Sequence, residues 1–209
     1  MKYIKFFFIF LFPYTIHAAN LKLPEVNAEY VCNTKFIIGA SVLETRTFQG
    51  KNKKRIDTIV NNVPQSVIID YDKQLATWVW PKTRAYLSVP LNKNVQEDLK
   101  KAKKINNLEK INSDFLHGFE VDIFKLKISL PDGTVEDSTR WITKHGITLK
   151  ETGFIDGSDG KIHFYSEFSN IKVFKQDEQL FNIPAGYTLA PIEDLDDINE
   201  LLKTMVKRS

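Results

Sequence analysis

FEVDIFKLKISLPDGTVEDSTRWITKHGITLKETGF, residues Phe119–Phe154, reads as three β-strands joined by two tight turns. The first turn, Pro131-Asp132-Gly133, sets a residue of fixed φ before a turn former and a glycine, and His145-Gly146 supplies a second glycine that can take positive φ. Turns this short force neighbouring strands to run antiparallel. The stretch therefore predicts an antiparallel sheet, to which the rest of the chain is added.

The first of these strands changes its alternation halfway. Apolar residues take odd numbers from Phe119 to Ile123 and even numbers from Phe124 to Leu130. Because successive side chains of a strand point to opposite faces, the buried face must change where Ile123 and Phe124 adjoin. A β-bulge produces such a change and curves the sheet. We therefore predict a curved sheet with a bulge at this point.

The rest of the chain predicts further strands and two helices. Val95–Lys104 and Leu195–Val206 carry apolar residues at helical spacing, and the second segment complements its dipole with acidic residues at its start and basic residues at its end. We expect about ten strands in one mainly β domain. Strands other than those quoted above are predicted at Glu29–Ile38, Ser41–Gln49, Ile56–Val60, Gln65–Ile69, Leu75–Trp80, Arg84–Val89 and Ile162–Val173, with one long bent strand as the alternative for the first two.

Residues 1–19 have the composition of a secretory signal peptide. Two lysines precede the apolar run Phe6–Phe12, and the small residues Ala18 and Ala19 follow it. We predict cleavage after one of these alanines, with an uncleaved anchor as the alternative, because the residue three positions before either site is not small. The apolar run is far shorter than the ~20 residues of a membrane span. We therefore expect a soluble mature protein outside the cytoplasm, with no membrane span.

Composition and charge exclude some classes of partner. The chain has 209 residues, of which 43% are hydrophobic and 26% charged, as in an ordinary globular protein. Without residues 1–19 it carries 27 basic and 26 acidic residues, so a nucleic-acid partner is not indicated. We interpret the basic run Lys51–Arg55 as a solvated hairpin tip. Lys100–Lys104 is interpreted as a solvated helix end, with a docking patch for acidic lipid or protein as the alternative.

No pattern of reactive residues predicts catalysis. His117, His145 and His163 lack the spacing of a zinc site, and nucleophile and phosphate-binding motifs are missing from the sequence. Asp156–Gly160 is explained by a β-turn and lacks the ligand pattern of a calcium loop. The single cysteine, Cys32, is interpreted as a buried strand residue, with an intermolecular thiol as the alternative. We expect no enzyme activity, metal or cofactor.

The order of these features resembles a family of secreted bacterial proteins. The sharpest mark is Phe181–Tyr187, FNIPAGY, because F-x-I-P-A-G-Y after a strand is typical of the LolA-like superfamily (LolA, LolB and RseB type folds), in particular of its periplasmic branch classed as a domain of unknown function. The resemblance covers about Asn27 to Tyr187. The other matching positions are Ile68-Ile69-Asp70, Leu75–Trp80 with Pro81, Tyr86, Gly118, Asp132-Gly133, Trp141, Gly146 and Lys150.

The resemblance implies an incomplete antiparallel β-barrel around an apolar cavity, with two or three helices covering the opening. Relatives in this superfamily carry or sense acylated lipoproteins in the periplasm of Gram-negative bacteria. It therefore implies that residues 20–190 form a periplasmic, non-enzymatic domain that holds a lipid, an acyl chain or a lipoprotein. A regulatory or scaffolding module that binds another envelope protein is the alternative. The chain departs from the carriers in its short lead-in and in the C-terminal helix of residues 191–209.

Aromatic residues indicate where such a cavity would lie. Trp78 and Trp80 are two apart on one predicted strand and so point to the same side, with Tyr86 close by on the next strand. Side chains of this size fill a core or line an apolar pocket, and in a barrel that wraps a cavity the two roles overlap. The candidate lining residues are Trp78, Trp80, Tyr86, Phe124, Leu126, Ile128, Trp141, Phe164 and Phe168.

Overall fold

The computed structural model describes residues 23–60, 62–91, 104–129, 134–157 and 160–190, with the backbone alone at residues 104–106 and 157. Within these ranges twelve strands form one sheet, and the only helix is a single 3₁₀ turn at Glu178–Phe181. The strands are β1 (Tyr30–Ile38), β2 (Ser41–Gln49), β3 (Lys53–Val60), β4 (Val63–Asp70), β5 (Leu75–Trp80), β6 (Ala85–Pro90), β7 (Lys104–Leu116), β8 (Phe119–Ser129), β9 (Val135–Thr143), β10 (Thr148–Gly157), β11 (Gly160–Val173) and β12 (Thr188–Leu189).

The sheet consists of two meanders joined along one seam. The strand order is β12-β6-β5-β4-β3-β2-β1-β11-β10-β9-β8-β7, so β1 to β6 and β7 to β11 pair consecutively and β1 pairs with β11. All neighbours are antiparallel except β12, which runs parallel to β6. The sheet is open, with β7 and β12 at its edges, and it is curved. The predicted mainly β fold with a curved antiparallel sheet is confirmed.

The predicted bulge lies on the neighbouring strand. Ile123 and Phe124 are both buried, at 8% and 2% exposure, so the buried face does change between them. Phe124 is paired with Lys110 and Ile123 with Asn112, which leaves Ile111 as the extra residue. The pairing of β8 with β9 stays continuous across the same point. The irregularity is therefore accommodated by the edge strand β7, where an extra residue disrupts only one ladder.

Strand β7 was not predicted, and it corrects the sequence interpretation of this region. Lys104, the predicted end of the first helix, begins the strand, and Asn106-Asn107, the predicted helix stop, lies inside it. Bulges at Asn106 and Ile111 break the two-residue alternation that identifies a strand. The rest of that helix, the signal peptide of residues 1–19 and the C-terminal helix of residues 191–209 lie outside the described residues.

The interpretation of the basic run Lys51–Arg55 was also wrong in part. Lys53–Arg55 belong to β3, and Lys54 is buried at 9% exposure. Lys54 is paired with Gln49 and Ile69, which are buried as well. The run therefore contains a strand whose middle lysine points into the protein, and only Lys51 and Asn52 form the exposed turn.

The turn between β9 and β10 anchors the segment that precedes β1. Gly146 has φ +75°, and a Cβ at this position would lie less than 3.0 Å from backbone atoms of Glu25 and Val26. The two segments are joined by a hydrogen bond from the Asn27 amide to the His145 carbonyl, 3.1 Å long. Val26 then packs against a buried cluster that includes Tyr30. A glycine is needed here both for its φ and for the close approach of the two backbones.

Candidate functional site

Many of the buried side chains of neighbouring strands lie on the same face of the sheet. Cross-strand partners share a face, so the face that carries Trp78 continues through Val67 and Ile56 into β2 and β1. We call this side the inner face and the other side the outer face. The inner-face side chains, from β6 to β8, include Leu87, Trp78, Trp80, Val67, Ile69, Ile56, Lys54, Thr47, Gln49, Cys32, Ile38, Phe164, Phe168, Glu151, Arg140, Glu136, Phe124, Leu126 and Ile128.

Seven of the nine predicted lining residues lie on the inner face. The other two, Tyr86 and Trp141, are placed on the outer face, which corrects the prediction that all nine share one side. Tyr86 is paired with Val79, which alternates with the two tryptophans of β5. Trp141 is paired with Ile123 and Lys150. The seven inner-face residues are Trp78, Trp80, Phe124, Leu126, Ile128, Phe164 and Phe168.

The inner-face residues form separate clusters rather than one uniform wall. Trp78 packs against Ile56, Val67, Ile69, Ala76 and Leu91, which we call the β3–β5 apolar band. Trp78 is itself only half-buried, so its ring borders the band without being enclosed in it. On the other meander a second cluster is formed by Leu23, Phe124, Leu126, Ile128 and Ile142.

A lysine lies beside the apolar band. Burial lowers the pKa of Lys54 to about 8 and raises the pKa of Cys32 to about 11. Burial also raises the pKa of Tyr30, and the lysine charge acts on the thiol from nearby. Cys32 is 1% exposed in β1, which confirms the interpretation of a buried strand cysteine. A buried thiol that keeps its proton is a poor nucleophile.

A buried carboxylate–guanidinium–carboxylate group lies between the two clusters. Arg140 Nη2 donates to Glu136 Oε1 at 2.8 Å, and its Nε donates to Glu151 Oε1. Ser138 Oγ donates to the same Glu136 oxygen at 2.7 Å. The three charged side chains are 3 to 8% exposed. The sequence did not identify this group, because its members alternate with other polar residues and charged side chains are rarely buried.

The stability of the protein is expected to depend on the protonation of Glu151. Burial raises the pKa of this carboxyl from 4.5 to about 7. The folded state therefore holds a proton that the unfolded chain has lost, so stability falls as pH rises from about 4.5 to 7, by up to about 3 kcal/mol. Denaturant unfolding at pH 5 and pH 8 should show a smaller fall in Glu151→Gln than in the wild type. Parallel pH profiles of the two proteins would contradict this assignment.

The outer face carries a chain of aromatic and charged side chains that the sequence also did not reveal. Lys150 Nζ lies 4.8 Å from the centre of the Trp141 ring and 5.7 Å from that of Tyr165. Tyr165 donates to Glu167, which contacts His117 Nε2 at 2.9 Å. The hydrogen bond from Tyr165 is the main reason that the pKa of Glu167 lies below its usual value. Trp141 thus packs with a lysine on the outer face rather than lining the inner one.

The FNIPAGY motif fastens the chain to the outer face. Phe181, 6% exposed, packs against Ile68 and Val79, with Tyr187 at the border of the same cluster. Arg55 Nη1 donates to the Leu180 carbonyl at 3.0 Å. The motif therefore has a structural role, covering the sheet on the side opposite the inner face.

The three histidines of the described chain each have a different neighbour. His117 contacts Glu167, His145 contacts Asn27, and His163 contacts the Thr152 hydroxyl. In the ranges that the structure covers, no three histidine, cysteine or acidic side chains converge in a way that could hold a metal ion. Over the same ranges there is no helix with the length and hydrophobicity of a membrane span.

Comparison with known proteins yields fold similarity alone. No family profile and no curated protein sequence matches the chain. An uncharacterised conserved protein from Thermus thermophilus has a similar structure, with a TM-score of 0.54 and 12% identity over 79% of this chain and 91% of that one. A chain of the Pseudomonas aeruginosa MucA/MucB complex has a TM-score of 0.50 and 9% identity; the match covers 80% of this chain and 59% of that chain. These likenesses show a shared fold.

Proposed function

We propose that this protein is a non-enzymatic binding protein that holds a lipid, an acyl chain or a lipoprotein against its inner face. The β3–β5 apolar band carries this proposal. It combines five buried side chains with a half-buried tryptophan that a ligand could reach. Acyl chains bind to apolar surfaces of this kind, and a few polar groups fix their orientation.

Residues in the middle of the sheet indicate that the inner face is accessible to a ligand. Thr34, Phe36 and Leu43 share that face and are only half-buried, as are Phe168 and Ser166, the partners of Thr34 and Phe36 on β11. A site that a ligand enters needs such a partly open region, whereas a closed core would bury these positions as fully as Val67.

We place this activity in the periplasm. The support is the sequence of residues 1–19, with its lysines, apolar run and small residues, together with the resemblance to LolA-like proteins. Fractionation of the native cells, with the mass of the mature chain measured, tests the location. A chain that retains residues 1–19 in the cytoplasmic fraction would contradict it.

A second candidate function is the binding of another envelope protein as a regulatory or scaffolding module. The observation in its favour is the fold similarity to a chain of the MucA/MucB complex. The exposed apolar residues of edge strand β7, Ile111 at 50% and Phe115 at 67%, offer a surface for such a partner. Native mass spectrometry of protein purified from its own compartment separates the two: an acyl-bearing adduct favours the first function, and an apo mass with a co-purifying protein favours the second.

Trp78→Ala is expected to weaken acyl binding about tenfold, because the ligand loses contact with a large apolar ring. The measurement is calorimetric titration with 1-monopalmitoylglycerol below its aggregation concentration. Trp141→Ala is the matched control, since Trp141 is also a half-buried strand tryptophan but lies on the outer face. Equal weakening by both variants, or by neither, would count against the inner face as the binding surface.

A further inference from the structure

Trp80 carries a buried donor that lacks an acceptor. Its side chain is 7% exposed, and its Nε1 is the one buried side-chain nitrogen or oxygen in the described parts of the chain that has no hydrogen-bond partner. An indole N–H can only donate, so no rearrangement of its own proton can satisfy it. Native proteins rarely leave such a group unpaired, because burial removes its hydrogen bond to water.

The hydrophobic side chains that pack with Trp80 offer no acceptor to its indole N–H. The ring packs with Leu87 and Ala190, and Trp78, Ala85 and Val89 border the same cluster. All of these side chains are apolar apart from the indole nitrogen of Trp78. The cluster adjoins the β3–β5 apolar band, because Trp78 belongs to the border of both. One end of an acyl chain on the band would therefore lie within reach of Trp80.

A row of uncharged polar side chains crosses the inner face at the level of Trp80. Thr34 is paired with Thr45, Thr45 with Thr58, and Thr58 with Gln65. Ser66 is paired with Val79, so Gln65 and Trp80 are the next residues along their two strands. The row therefore presents hydroxyl and amide groups, but no charge, beside the indole.

The charged groups of the inner face lie elsewhere. Lys54 is paired with Ile69, four residues along β4 from Gln65, or roughly 13 Å away at the usual rise of a strand. Arg140 is held by two glutamates on the other meander. An ionised carboxylate bound at Trp80 would thus be buried without a cation, which is strongly unfavourable. A neutral carbonyl oxygen meets no such penalty.

We propose that Trp80 Nε1 donates a hydrogen bond to the carbonyl oxygen of an ester or amide in the bound ligand, and so selects acyl esters and amides over free fatty acids and ethers. This inference rests on the proposed function, since it requires an acyl chain on the inner face. Trp80 is then a specificity-determining residue, whereas Trp78 contributes apolar contact.

The test compares an ester with its ether analogue. 1-Monopalmitoylglycerol and 1-O-hexadecylglycerol have the same headgroup and nearly the same chain, but only the first has a carbonyl group. Calorimetry should show that the wild type binds the ester roughly tenfold more tightly than the ether. Trp80→Phe should abolish this preference by weakening ester binding, with ether binding little changed. Trp78→Phe, the control, should weaken both and keep the preference. Palmitate at pH 8 should bind the wild type more weakly than the ester.

The outcomes separate this inference from the proposed function. If neither glyceride binds the wild type, the proposed function fails. If both bind equally, the function stands and the role of Trp80 is overturned. If Trp80→Phe does not fold, the indole N–H signals of ¹⁵N-labelled wild type decide: one of the three should shift on adding the ester and not on adding the ether. Shifts of the same size with both ligands would overturn the inference.

Discussion

Arg140→Met is expected to lower the free energy of unfolding by about 3–5 kcal/mol at pH 7.5. Removing the guanidinium leaves Glu136 and Glu151 buried side by side without their shared cation. Each must then either stay ionised in an apolar environment or take up a proton from neutral solution. Methionine fills a comparable volume, so the loss reflects charge rather than a cavity. Equilibrium unfolding in urea measures it.

Two controls identify the electrostatic cause. The triple variant Arg140→Met, Glu136→Gln, Glu151→Gln removes the carboxylates as well and should recover most of the lost stability, since replacing a whole buried ionic group is often close to neutral. The loss in the single variant should also shrink towards pH 5, where protonation removes the uncompensated charge. A single variant within about 1 kcal/mol of the wild type would show that the buried group contributes little.

Gly146→Ala is expected to lower the free energy of unfolding by about 4 kcal/mol. The alanine must adopt φ near +75°, which costs about 1–2 kcal/mol for an L-residue. Its Cβ would also overlap the backbone of Glu25 and Val26. The segment before β1 then has to move, and the burial of Leu23, worth about 1.5–3 kcal/mol, is lost with it.

Gly118→Ala is the matched control for this substitution. Gly118 has φ +86° in the turn between β7 and β8, but no heavy atom lies within 4 Å of the position that a Cβ would take there. The Gly118→Ala variant should therefore lose only the stability that positive φ costs an L-residue, about 1–2 kcal/mol. Thermal or urea unfolding of both variants gives the comparison. Equal losses would mean that the contact with the segment before β1 contributes nothing to stability.

The sequence was sufficient for the parts of the fold that obey local rules. Phe119–Leu130 alternates apolar and polar residues on each side of its change of face, and the strands of this stretch are separated by turns containing glycine, so strand and turn could be read directly. The change of face at Ile123 and Phe124 was visible for the same reason. The sequence did not show which strand would carry the extra residue. A bulge is a property of a strand pair, and only β8 of this pair had been recognised.

The candidate site was predicted less well, because its composition depends on pairing register. Trp78 and Trp80 share a face by simple alternation within one strand. Whether Tyr86 joins them depends on the turn between β5 and β6, which pairs Trp80 with Ala85 and so directs Tyr86 outward. The missing acceptor of Trp80 Nε1 could be recognised only with the surrounding side chains in place, because no sequence pattern indicates a missing hydrogen-bond partner.

The seam between β1 and β11 constrains the order in which this sheet can form. Each of the other antiparallel pairs joins strands that follow one another in the chain, so those hairpins can close as soon as their residues have been synthesised. β1 instead obtains its second neighbour only when synthesis has reached Gly160–Val173. Closing so long a loop is entropically costly and slow. Until then Tyr30–Ile38 presents an open edge, which is the kind of strand that pairs with other chains, so the first of the described strands to be made stays unprotected until the eleventh is complete.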